Sequence, residues 1–290
     1  MSYIIAIGAY LFLLMIYGLV IAHKKVKTAD DMVTGGHRIP FIILVGSLLA
    51  TWCGGGGITG NASIIYNGGP WVGAITFAAP PIGIILLYFI AGKVRKSNKV
   101  TVPEIMGARY GQSASIISAV CVMLAYVGVL ATQLKAAADI LVLLCSSSGV
   151  EISRGLALVI CTTIIVVITV GGGLVSVAYS DAISALIMIG GFFIAIPILI
   201  SVANAQGAVL PPEKTTLTGG MSGWELLGYF LPSLALMLGD QNMLQRFASA
   251  KNSTEAKKSN IGMFIGEILV IVSIIAVVTQ AARLYPTLDT

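Results

Sequence analysis

Charged residues are scarce in this 290-residue chain, where they make up 10% of the sequence. A soluble globular protein carries about 25%, so the composition excludes an ordinary soluble domain. The apolar stretches are continuous and about 20 residues long, without the alternation that marks a membrane β-barrel. The sequence therefore predicts an all-α integral membrane protein.

Histidine and cysteine are also rare. The two histidines, His23 and His37, lie in one basic loop, and the four cysteines lie in or beside apolar segments without a metal-ligand spacing. No apolar segment combines a nucleophile, a base and an orienting acid. The net charge of +5 is confined to particular loops, which does not favour nucleic acid as a partner. We therefore expect neither an enzyme nor a bound cofactor.

Apolar segments of membrane-spanning length recur along the chain, and Lys and Arg divide unevenly between alternate loops. Thirteen of these residues fall on one side and three on the other. Because loops rich in Lys and Arg face the cytoplasm, we predict a multi-pass protein of the cell membrane whose N-terminus is outside. The predicted spans are 4–22, 39–66, 71–92, 114–144, 155–170, 179–202, 224–238 and 261–282.

Four consecutive glycines, 54–57, interrupt the second apolar segment. Glycine costs roughly 1 kcal/mol per residue relative to alanine inside a helix, so the run opposes a continuous helix by about 4 kcal/mol. Unpaired backbone groups at membrane depth are tolerated where they line a wet cavity, and secondary transporters build binding sites in this way. The alternative is close helix packing, which usually uses spaced glycines. We predict a broken second helix.

Polar and helix-breaking residues mark three further places. Lys135 and Asp139 are four residues apart in the fourth segment. They form either a structural ion pair or part of a gate. Pro232 interrupts the short seventh segment and predicts a second broken helix. Asp181 follows a glycine-rich cytoplasmic turn at 171–178, where it suits either a helix start or a cation pathway.

At four places the sequence resembles the sodium:solute symporter family, at residues 35–38, 50–56, 172–181 and 245–251. The resemblance implies a leucine-transporter-like inverted-repeat fold of about eight helices here, as a truncated form of two five-helix repeats. Residues 1–290 would form one transmembrane domain. Within it, 1–38 hold an extra first helix and a basic loop, 39–202 the first repeat, and 203–290 the start of the second.

The resemblance also implies a function, which is Na⁺-coupled symport of a small organic solute across the lipid bilayer. Sodium would be held by the backbone carbonyl groups of Ala50 and Cys53, joined in the family by hydroxyl groups from a ninth span. Asp181 falls on the position of a family aspartate on the sodium exit path. The candidate solute contacts are Trp52, Gly55, Gly56, Thr59, Asn61, Tyr126 and Gln133.

The motifs are most similar to those of the choline-carrying branch. There, Trp52 would hold a quaternary ammonium group by cation–π attraction, worth about 0.5–2 kcal/mol per ring. Residues 236–240 lack the tryptophan that choline carriers place there, and Leu236 and Met237 stand where sugar carriers have aromatic gating residues. The alternative function is the membrane portion of a symporter-like sensor.

Overall fold

The computed structural model describes residues 2–287, apart from the side chains of residues 2–4, 56, 57 and 171. The described chain is helical and contains no β-strand, which confirms the predicted helical class. Its α-helices are α1 (Ser2–Lys25), α2 (Ala29–Thr34), α3 (Phe41–Trp52), α4 (Gly55–Gly68), α5 (Pro70–Thr76), α6 (Ala79–Ser97), α7 (Val102–Tyr110), α8 (Gln112–Ser147), α9 (Arg154–Ala205), α10 (Gly223–Gly239), α11 (Gln241–Ser249) and α12 (Ser253–Leu284).

Five segments of the described chain are long and apolar enough to cross a membrane. They are Ile5–Lys25, Pro70–Ser97, Gln112–Ser147, Gly172–Ala205 and Ser253–Leu284. Two shorter apolar helices, Phe41–Trp52 and Arg154–Val170, fall at predicted crossings. The count of eight spans and the outside position of the N-terminus stay predictions.

The long helix α9 reverses its direction at Gly173. This residue has φ 54° and ψ −152°, a backbone conformation that favours glycine. The segments before and after the reversal contact the same point of α1. Gly18 lies against Ile168, before the reversal, and against Ser176, after it. The predicted spans at 155–170 and 179–202 are therefore separate arms of α9, and the turn between them is tighter than the predicted eight residues.

We expect Gly173→Ala to destabilise the protein. A Cβ atom at Gly173 would lie 2.5 Å from the carbonyl oxygen of Met32 and 2.8 Å from its Cα, in addition to the strain of the positive φ. The matched control is Gly190→Ala in the second arm of α9, where a Cβ atom meets nothing within 4 Å. Thermal unfolding of the purified protein should show a lower midpoint for Gly173→Ala only. Equal midpoints would contradict the tight reversal.

Helices α3 and α12 pack side by side in the same direction. Gly262 lies against Val45, and one turn further along both helices Gly266 lies against Leu49. Helix α3 also runs parallel to the second arm of α9, where Gly46 leaves room for Ala182. The break in the second apolar segment is thus enclosed by α12 and α9.

The predicted break at Pro232 is wrong. Helix α10 continues through Pro232 to Gly239, and the interruption lies at Asp240, whose φ of −66° and ψ of 114° are extended. Membrane helices tolerate an internal proline because neighbouring groups satisfy the freed backbone. Asp240 ends the helix because its carboxylate caps α11, accepting a hydrogen bond from the amide of Met243 at 2.9 Å. A second broken helix therefore exists, displaced by about two turns.

The predicted ion pair between Lys135 and Asp139 is also wrong. The carboxylate of Asp139 pairs with Arg154 at the start of α9, at 2.7 Å and 2.8 Å from its two oxygens. Both contacts come from one guanidinium nitrogen of Arg154, Nη2, so Asp139 is paired between two helices and not within α8. Both partners are exposed, so this is a surface contact between α8 and α9.

Candidate functional site

The second apolar segment is broken, as predicted, but the break lies at Cys53 and Gly54, and the other three glycines of the run, 55–57, already belong to α4. Helix α3 ends at Trp52, Cys53 adopts φ −79° and ψ 46°, and Gly54 is extended with φ −74° and ψ 163°. The last hydrogen bond of α3 runs from the amide of Cys53 to the carbonyl of Leu49 at 2.9 Å. Among the described residues no backbone amide reaches the carbonyl of Ala50. This carbonyl is one of the two that we predicted to hold sodium.

Helix α8 supplies a polar side chain at this break. Gln133 lies so close to Gly54 that an added Cβ atom there would be 2.1 Å from its Nε2 atom. Ala136, one turn further along α8, lies against Gly55. A Cβ atom added at Gly55 would be 3.5 Å from the Cβ atom of Ala136. The absence of side chains at Gly54 and Gly55 therefore lets Gln133 approach the backbone of the break.

The same helix also holds the second break. Tyr126 donates a hydrogen bond from its hydroxyl to Asp240 Oδ1 at 3.1 Å and accepts one from the amide of Asn242 at 3.2 Å. Tyr126 precedes Gln133 by seven residues, which is two turns along one face of a helix. One face of α8 thus touches both broken helices, and two of the predicted solute contacts lie on it.

Trp52 differs from the other two tryptophans in its environment. Its side chain is partly buried against a core cluster that contains Leu44 and Leu48, whereas Trp71 and Trp224 are 55% and 83% exposed. Exposed tryptophans near segment ends are typical of the membrane interface. Trp52 is therefore the tryptophan of the three that packs inside the fold, at the end of α3 beside the break.

The remaining predicted solute contacts lie on α4 beyond the break. Gly55 and Gly56 form its first turn. Thr59 is exposed and donates its hydroxyl to the carbonyl of Gly55 at 2.9 Å, and Asn61 is partly exposed. These residues lie along one short helix, which begins two residues after Cys53.

A buried carboxylate that the sequence reading missed lies at the first break. Glu267, near the middle of α12, is 2% exposed, and the thiol of Cys53 donates to its Oε2 at 3.5 Å. A signal was available, because Glu267 is the single charged residue between 261 and 282.

An ion pair lies beside α3 on the N-terminal side of the first break, at Ser47. Arg246 of α11 lies 3.0 Å from Asp181 Oδ2, and it donates from Nε to Ser47 Oγ at 2.8 Å. Ser47 in turn donates to Asp181 at 2.8 Å. The helix-start interpretation of Asp181 is wrong, because the arm of α9 begins after Gly173 and dipole effects fade beyond the first turn. Ser47 and Arg246 were missed because their partners are distant in sequence.

Two of the stretches that carry the family resemblance, 35–38 and 245–251, meet near this ion pair. His37 Nδ1 lies 2.6 Å from the carbonyl of Ala248, and Gln245 donates to the carbonyl of Val33 at 2.8 Å. Nearby, hydrogen bonds from the backbone of Lys27 and from Thr28 lower the pKa of Asp31, the acidic member of the α2 capping box. The stretches 35–38 and 245–251 therefore form one contact layer.

The model of the sodium:solute symporter family matches residues 32–287, and the chain belongs to this family. Human high-affinity choline transporter 1 is 25% identical over 276 residues, which cover 88% of this chain and 46% of that protein. The sodium/sialic acid symporter of Aliivibrio fischeri is 25% identical over 273 residues, covering 89% and 52%.

A solved structure agrees with the fold. A Na⁺-coupled sialic acid symporter, in a substrate-bound outward-open state, superposes with a TM-score of 0.79 at 18% identity, over 99% of this chain and 61% of that one. The chain spans about half the length of the relatives it matches. The likeness therefore shows a shared helical arrangement over this part of the relatives.

Proposed function

We propose that this chain is part of a Na⁺-coupled symporter that carries a small organic solute across the cell membrane. The observation that carries the proposal is the break at Cys53 and Gly54, enclosed by α8, α9 and α12. Family membership and the transporters among its relatives support a carrier rather than a sensor. No feature of the described residues favours the sensor alternative.

In this proposal the carbonyl groups of Ala50 and Cys53 bind the coupling ion. Helix carbonyl groups freed at a break are negative ends of peptide dipoles and attract a cation. The solute would lie between Trp52, the start of α4 and the polar face of α8. Ion and solute are coupled because each stabilises the same conformation of the carrier.

In this proposal the ion pair of Asp181 with Arg246 closes the inner side of the carrier. It joins α9 to α11 and, through Ser47, to α3, one turn of α3 below Ala50. For sodium to leave toward the cytoplasm past Asp181, Arg246 must release this carboxylate. The exit path that the resemblance assigned to Asp181 is therefore shut in this conformation.

Transport in proteoliposomes tests the proposal. The protein, as its gene encodes it, is reconstituted with choline and sialic acid as the first labelled solutes, and an inward Na⁺ gradient is compared with an equal K⁺ gradient. We expect the Na⁺ gradient to drive uptake of a solute and a solute to stimulate uptake of radioactive sodium. Uptake that ignores sodium and follows a proton gradient would contradict the ion assignment.

A further inference from the structure

Glu267 is an ionisable side chain near the middle of a helix long and apolar enough to cross a membrane. It stands fourteen residues from the start of α12 and seventeen from its end, roughly 21 Å and 26 Å along the helix. It is 2% exposed. A carboxylate at this depth is costly unless a cation or a proton neutralises it, and such groups usually mark an ion or solute pathway.

The described surroundings of Glu267 contain no positive charge. The three ion pairs found among the described residues are Arg154–Asp139, Arg246–Asp181 and Lys258–Glu255, and none includes Glu267. Its hydrogen-bond donor among the described residues is the thiol of Cys53, which is a weak donor. This donor supplies no charge, so the described fold leaves the carboxylate uncompensated.

Two features beside Glu267 would attract a monovalent cation. One is the carboxylate itself. The other is the C-terminal end of α3, which the carboxylate meets at Cys53, where the helix dipole is negative and carbonyl groups are freed by the break. Charge and dipole therefore act with the same sign at one place.

We propose that Glu267 provides the fixed negative charge of a monovalent-cation site at the helix break. This inference rests on the proposed function and adds to it a residue that the carbonyl pair of Ala50 and Cys53 does not include. The cation is either Na⁺ or the ammonium group of an organic solute, which share the same chemistry at a carboxylate.

The test uses the fluorescence of Trp52, the residue before Cys53. Every other tryptophan of the complete protein, including Trp71 and Trp224, is replaced by Phe, so that Trp52 is the reporter, and the protein is held in lipid nanodiscs. NaCl, KCl and tetramethylammonium chloride are titrated at constant ionic strength. We expect a saturable change with NaCl if the site takes the inorganic ion, or with tetramethylammonium if it takes the organic one, and either supports the site.

Variants of Glu267 decide the outcome. Glu267→Gln should lower the affinity for the bound cation by about tenfold to hundredfold, the effect of losing one charge-assisted contact. The affinity of Glu267→Asp should lie between that of this variant and that of the parent. Glu225→Gln, in the exposed capping box at the start of α10, should bind the cation as the parent does. Thermal unfolding confirms that each variant is folded.

Two results would overturn the proposal, and they are distinguishable. If Glu267→Gln binds the cation as tightly as the parent, the carboxyl group is a protonated structural group, and Na⁺-coupled transport stands without it. If the parent binds no cation and also shows no Na⁺-dependent uptake, the site and the symport proposal fail together.

Discussion

Arg246→Gln is expected to lower the free energy of unfolding by about 3 kcal/mol, whereas Arg154→Gln should change it by less than about 1 kcal/mol. Each arginine pairs with one aspartate, but the side chains of Arg246 and Asp181 are 6% and 23% exposed while those of Arg154 and Asp139 are 53% and 47% exposed. Removing one partner of a buried pair leaves a charge without compensation. An exposed pair is worth little because water replaces it.

The rate of coupled uptake should also differ between Arg246→Gln and Arg154→Gln. Arg246→Gln removes the contact that joins α11 to Asp181 and Ser47, so we expect the inner side to open and coupled uptake to fall at least tenfold, about 1.4 kcal/mol in rate. The double variant Asp181→Asn/Arg246→Gln should recover part of the stability, because neither charge is then left alone. Equal losses for Arg246→Gln and Arg154→Gln would show that the inner ion pair has no special role.

Gly54→Ala is expected to reduce uptake by about tenfold or more, with little change in the amount of folded protein. The added methyl group would lie 2.1 Å from Gln133 Nε2 and 2.9 Å from its Cδ, so Gln133 must leave the break. The backbone angles of Gly54 are accessible to alanine. The expected loss is therefore one of site geometry rather than of backbone strain.

Gly60→Ala is the matched control for this change. It adds the same methyl group to α4 six residues later, where nothing lies within 4 Å, and alanine suits a helix better than glycine. Uptake and its Na⁺ dependence should stay within about twofold of the parent, below 0.5 kcal/mol. A loss as large at Gly60 as at Gly54 would show that the contact with Gln133 is not what matters.

The first break and most apolar segments could be predicted because their signals are local. A run of glycines in an apolar segment opposes a helix whatever surrounds it. Segment length and the distribution of Lys and Arg are likewise properties of short windows. Gln133, which the family resemblance placed among the candidate solute contacts, lies beside the first break.

The second break was misplaced because two local signals compete there. Pro232 is the stronger helix breaker in isolation, but the packed helix accepts it, and the capping carboxylate of Asp240 determines where α10 ends. Caps depend on a side chain meeting backbone amides after the turn has formed. For this reason the sequence of the segment predicts the break about two turns before the residue at which it lies.

The ion pairs could not be read from sequence spacing. Asp181 and Arg246 are 65 residues apart, and Ser47 and Arg246 are 199 apart. Spacing rules describe neighbours on one helix, so they suggested Lys135 for Asp139 although the next helix offers Arg154. Glu267 is different, since a lone acid in an apolar segment is itself a functional signal.

Amide hydrogen exchange across the second apolar segment tests the central claim most directly. In lipid nanodiscs, a continuous buried helix protects its amides, whereas a break that opens to water exposes them. We predict fast exchange for peptides covering 53–58 in KCl, slower exchange for the same peptides in NaCl, and protection of 42–49 in both salts. Exchange at 53–58 as slow as in 42–49, and indifferent to sodium, would contradict a watery ion site at the break.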